Sequence, residues 1–167
     1  MHTIRSIAAG LLVAATVTAC SLDVGPQDRE VRIAELSGDK MVPPVEVIRN
    51  DTASTAIAAF SLEDGRIYYD LYLYNIDGAT SATLHIGGPT ENTASVSTLF
   101  QSAQTTGVTG TGFVVQGDRL DASELTGGTS YQSLFDALRA GNAYVVVYTV
   151  NFPGGALRGQ AVSLSGD

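Results

Sequence analysis

The chain has 167 residues, nine Lys/Arg against seventeen Asp/Glu, a net charge of −8 and one cysteine. A lone cysteine excludes an intrachain disulfide. The acidic balance excludes nucleic acid as a partner, because phosphate binding needs clustered Lys and Arg.

The opening "MHTIRSIAAGLLVAATVTAC" has a short basic start at Arg5 and an apolar run from Ile7 to Val17. That run is too short to cross a bilayer core of about 30 Å as a lone helix, and it reads as the core of a secretory signal peptide over residues 1–19. Val17-Thr18-Ala19-Cys20 resembles the bacterial lipobox, whose cysteine becomes the lipid-modified first residue of the mature protein. Ordinary cleavage after Ala19 is the alternative, and it would leave a soluble protein with an idle thiol. Several acyl chains at about 0.8 kcal/mol per buried CH₂ make a stable anchor, so the membrane is an expected partner through Cys20. Ser21, rather than Asp, follows the cysteine. By resemblance to the sorting pattern of diderm bacteria this implies the outer membrane, with the domain facing the periplasm or the exterior. Loss of Arg5 with the leader leaves eight Lys/Arg against seventeen acids, a charge near −9.

Residues 20–32 read as the lipidated N-terminus and a polar linker carrying Gly25-Pro26, and residues 33–165 as one β domain. "TASTAIAAFSL" (52–62) and "RIYYDLYLYNI" (66–76) read as strands joined by a Glu63-Asp64-Gly65 turn. In the second, Tyr69, Leu71 and Leu73 share one face, and Tyr68, Asp70, Tyr72 and Tyr74 the other. "ATSATLHIGGP" (79–89) reads as a strand running into a Gly-Gly-Pro turn, and "TTGVTGTG" (105–112) as a flexible connection. Further strands are expected at 111–118, 143–150 and 156–164, the last after a 151–155 turn. "AYVVVYTV" (143–150) is apolar on both faces, as a twice-covered central strand would be. One short helix is expected in "SYQSLFDALRAG" (130–141), with Leu134, Phe135 and Leu138 on one face and Gly141 at its end. Short strands with Gly-rich turns give an all-β class: an antiparallel β-sandwich or Greek-key barrel with one short helix.

"AELSGDKMVPPV" (34–45), "GATSATLHIGGP" (78–89) and "LRAGNAYVVVYTVNFPGGALRGQ" (138–160) in that order resemble the CHRD, or chordin-type, domain family. The resemblance spans roughly residues 33–164, and the family also occurs in bacterial secreted and surface proteins. Most of its motif residues read as architectural. Pro43-Pro44 suits a strand end or edge, and Gly154-Gly155 the positive φ of a tight turn. Arg158 and Gln160 point to one side of the last strand. The guanidinium is expected on a carboxylate, Asp70 being one option, on backbone carbonyls, or solvated at an edge. Many CHRD sequences carry "HIH" where this chain has His85-Ile86-Gly87, and "N-x-H" where it has Val146-Val147-Tyr148. They also often carry Glu at the positions of Met41 and Ala156. Paired histidines on alternate strand positions suit copper or zinc. The resemblance therefore implies that His85 is the remnant of a dismantled metal site.

No metalloprotease, zinc-finger, P-loop or nucleophile-elbow motif is present. Asp70 and Asp77 are too far apart, and on opposite faces, for a calcium loop. Tyr68, Tyr72 and Tyr74 form an outward stripe suited to a protein or glycan partner, although Tyr is also simply a good strand residue. The leading expectation is a membrane-anchored, non-catalytic binding or envelope-structural module without a cofactor. A copper- or zinc-binding protein around His85 is the alternative, and a hydrolase the third class.

Overall fold

The computed structural model describes residues 29–49 and 52–164. The leader, Cys20 and the linker up to residue 28 lie outside the described residues.

Alternation of side chains builds the first hairpin. In β4 (Thr55–Glu63) Ala56, Ala58, Phe60 and Leu62 point inward, and in β5 (Arg66–Ile86) Ile67, Tyr69, Leu71 and Leu73 do the same. Glu63 pairs with Arg66, so Asp64-Gly65 form a two-residue turn with φ of 50° and 70°. Both signs match the primed turn whose twist suits antiparallel strands.

β1 (Glu30–Leu36) pairs with β4 on one side and β9 (Leu157–Ser163) on the other. β9 pairs with β8 (Ala143–Thr149), and β8 with the second half of β5. The first half of β5 already pairs with β4, so the antiparallel sheet closes into a barrel-like ring. β6 (Ser95–Gln101) and β7 (Val108–Leu120) pair along the other edge of β5. β2 (Ile48–Arg49) and β3 (Thr52–Ala53) form a separate small hairpin.

β5 can serve both sides of the ring because it bends. Asn75 and Gly78 take φ of 50° and 62°, and the β5–β7 register shifts between Leu73, Ile76 and Ala79. Side chains replace the interrupted ladder there. Thr111 Oγ1 accepts from Asn75 N–H and Thr109 Oγ1 from Gly78 N–H, while Asn75 Nδ2 donates to the carbonyls of Arg49 and Thr52.

The ring encloses one apolar core that includes Phe60, Leu71, Leu84, Val145, Val147 and Leu157. α1 (Tyr131–Arg139) is a nine-residue helix, too short to persist alone. It is held by its Ser130 cap, whose hydroxyl accepts from Ser133 N–H, and by fully buried Leu134 and Leu138. Gly141, with φ of 69°, ends it as expected.

The all-β reading with one short helix holds, and β8 is covered twice. Val145 and Val147 face the core, while Tyr144 and Val146 on the opposite face pack under Met41 and Val45. Other expectations change. β1 begins at Glu30, so residues 30–32 are strand rather than linker. The segments 66–76 and 79–86 are one strand of 21 residues, and β6 carries no expectation from the sequence. Val108–Gly112, read as flexible connection, opens β7. Pro43-Pro44 lie in the irregular stretch between Lys40 and Ile48 rather than at a strand end, and only Gly155 of the glycine pair has positive φ.

Candidate functional site

The outer face of β5, β8 and β9 carries a buried polar cluster. Register sets its members side by side: His85 opposes Tyr144, Thr83 opposes Val146, Val146 opposes Arg158, and Tyr144 opposes Gln160. Because β8 lies between β5 and β9, Tyr144 is flanked by His85 on one side and Arg158 on the other. The His85 and Tyr144 rings stack at 4.7 Å and 9°. The Arg158 guanidinium lies 3.7 Å from the Tyr144 ring centroid, a close cation–π contact. His85 is 5 % exposed and Arg158 only 2 %.

These groups grip the turn that follows β5. Arg158 Nη1 donates to Glu91 O at 2.7 Å and to Asn92 Oδ1 at 3.2 Å, and Nη2 donates to Gly88 O at 2.7 Å. Gln160 Nε2 donates to the carbonyls of Gly87 and Gly141, both at 2.9 Å, leaving Oε1 buried without a partner among the described residues. Tyr144 Oη accepts from Thr93 N–H at 2.8 Å. Asp70 is not part of this set: its carboxylate accepts from Gly117 N–H, and Arg158 is held by backbone carbonyls and Asn92 instead. Nor is Arg158 a solvated edge residue.

Both ring nitrogens of His85 are engaged. Nδ1 lies 2.9 Å from Thr93 O and donates to it, which fixes the tautomer. Nε2 then accepts from the Thr83 hydroxyl at 2.7 Å. Burial lowers the His85 pKa below the ordinary imidazole value, and the Arg158 charge lowers it further. The bond to Thr93 acts in the opposite direction, less strongly than burial but more strongly than the Arg158 charge. The ring is therefore neutral at pH 7.

The positions at which the family resemblance implies further histidines, Gly87 and Tyr148, are filled differently. A side chain at Gly87 would meet Glu91 Oε2 at 3.1 Å, Thr93 Cγ2 at 3.2 Å and Tyr144 Cε1 at 3.3 Å. Tyr148 shares the face, its hydroxyl 3.3 Å from Thr83 Oγ1. Among the described residues no group of three or more His, Cys, Asp or Glu could hold a metal ion. The residues around His85 thus do not fit copper or zinc, and that alternative loses its ligand set.

The tyrosine stripe lies on a different part of the sheet. Register lines Ile57, Tyr72 and Phe113 across β4, β5 and β7. Tyr72 meets Phe113 edge-to-face at 5.0 Å, and Tyr74 follows on the same side, opposite Thr55. Phe113, Tyr74 and Ile57 are exposed, whereas Tyr68 and Tyr72 are half-buried. Sequence reasoning missed Phe113 here, and missed Tyr144, Thr83, Thr93, Glu91 and Asn92 around His85.

No curated protein and no solved structure matches the chain. The CHRD domain family matches residues 33–161, from the start of the ring in β1 to its last strand, and includes the whole His85–Tyr144–Arg158 cluster. By that match the chain belongs to the CHRD domain family.

Proposed function

We propose that this chain is a membrane-anchored, extracytoplasmic lipoprotein whose CHRD domain serves as a non-catalytic binding or envelope-structural module. CHRD is a non-enzymatic domain family. The observation that carries the reading is how the His85 cluster is used. The imidazole is bonded at both nitrogens inside a stack, and Arg158 and Gln160 hold backbone carbonyls. Groups that could perform chemistry are thereby committed to architecture. The outward row of Ile57, Tyr72, Phe113 and Tyr74 supports a protein or glycan partner, since amphipathic rings bind both. The lipobox-like Val17–Cys20 supports the anchor, and Ser21 the outer membrane.

The test is expression of the full chain and of its Cys20→Ala variant in a diderm bacterium, followed by fractionation and mass analysis of the mature N-terminus. The wild-type chain is expected in the outer-membrane fraction with an acylated N-terminal cysteine, and the variant outside that fraction. An unmodified Cys20 in the wild-type chain would overturn the anchor.

A further inference from the structure

Arg158 is buried, yet no carboxylate lies within ion-pair distance of it among the described residues. A guanidinium has five N–H donors, and three of these are used on Gly88 O, Glu91 O and Asn92 Oδ1. Its Nε has no hydrogen-bond partner among the described residues. Nor does it rank with the polar atoms sealed away from solvent without a partner, which are Ser97 Oγ and Gln160 Oε1. The small exposed part of Arg158 therefore includes Nε, and Arg158 is among the residues that line a cleft.

That cleft has a volume of about 380 Å³ and lies between the Asp39–Pro44 segment and the Pro89-Thr90 turn. Met41, Val42, Pro44 and Pro89 give it apolar walls, and Arg158 contributes a charged side chain to the lining. A mostly apolar recess with one well-held polar group is the usual form of a small-molecule site. The donor cannot drift, because Tyr144 and the three carbonyl-type acceptors fix the guanidinium plane. Lys40 at the rim adds a second positive charge, its Nζ donating to Glu35 O. Asp39 at the rim opposes an anion, but its carboxyl is fully exposed, where water screens it.

We propose that this cleft binds a small organic carboxylate, the anion meeting the Arg158 Nε–H and the apolar body lying against Met41, Val42, Pro44 and Pro89. The site is separate from the aromatic row, and it stands whether or not Cys20 is lipidated.

The experiment is an NMR titration of the full chain with pentanoate, with pentanamide as the uncharged control. Pentanoate is expected to shift the Arg158 Nε–H resonance and the amides of Thr90–Asn92 in a saturable way, and pentanamide is not. Arg158 variants are unsuited because they weaken the fold, so Thr90→Trp serves to fill the cleft mouth. It is expected to keep the folded spectrum and to abolish the saturable shift, while Lys40→Gln weakens binding. Equal binding of pentanamide, undiminished binding by Thr90→Trp, or no saturable shift with pentanoate would each overturn the proposal.

Discussion

At the scale of single residues, His85 and Arg158 act through the turn they hold. The buried imidazole has a lowered pKa, so the unfolded chain takes up the proton first as pH falls. The His85 contribution is complete above the ordinary imidazole value of about 6.5 and is lost as pH falls toward the folded value. The stabilisation from Glu30, whose carboxyl Arg139 holds below the ordinary range, stays complete through that window and is lost only as pH falls below the ordinary carboxylate value, so the two effects occupy different windows. Urea unfolding between pH 7 and 5 is expected to show declining stability, with a flatter profile in His85→Gln. A variant with the same pH slope would remove His85 as the cause. Arg158→Lys tests the second residue. A lysine is a point donor that cannot span Gly88, Glu91 and Asn92, and the stack on Tyr144 is weakened. The expected loss is about 2 kcal/mol in urea unfolding, roughly one charge-assisted bond. Unchanged stability would mean that the turn is held by its other bonds.

At the scale of elements, glycine placement shows why the last strand has its motif. A Cβ at Gly159 would lie 2.5 Å from Glu35 O and 2.7 Å from Glu35 C, so β9 can pass β1 only without a side chain there. Gly159→Ala is expected to cost about 1–3 kcal/mol as an overpacking change, measured by thermal or urea unfolding, because the obstacle is backbone rather than a flexible side chain. The same physics limits what the sequence discloses. The β4–β5 hairpin and α1 were legible because alternation, an Asp-Gly turn and a Leu134/Leu138 face are local signals. β6 was not, since "SVSTLFQ" mixes buried Ser97 with exposed Thr98 and breaks its alternation at two register shifts against β5. The continuity of β5 was hidden because 66–76 and 79–89 read as separate strands, whereas Asn75 and Gly78 form a bend within one strand, secured by Thr111 and Thr109 from β7. At the site, the common face of Arg158 and Gln160 was readable, but their partners were not. Apart from Asn92 Oδ1, those partners are backbone carbonyls of residues 87, 88, 91 and 141, and no sequence pattern records where a carbonyl points.

At the scale of the whole molecule, closure of the ring ties together segments far apart in the chain. Ala34 near the start of the domain pairs with Ala161 near its end, and β5 in the middle pairs with both β4 and β8. α1 joins the same unit, because the Tyr131 hydroxyl accepts from Ile67 N–H and Leu134 and Leu138 complete the core. No part of this arrangement buries its apolar face alone, so unfolding is expected to be a single cooperative transition. The chain has seven tyrosines and no tryptophan, which makes near-ultraviolet circular dichroism a tyrosine signal. Tyr69 and Tyr144, both buried, are expected to dominate it, while the far-ultraviolet signal reports the sheet. The two transitions should coincide in urea, and refolding should take roughly milliseconds to seconds, as for other domains dominated by distant strand pairing. Leu138→Ala should lower both midpoints together, by about 2–5 kcal/mol of stability. A separate early transition in the tyrosine signal would instead show that α1 and the β5–β8 side form a unit of their own, and that the ring is not one cooperative body.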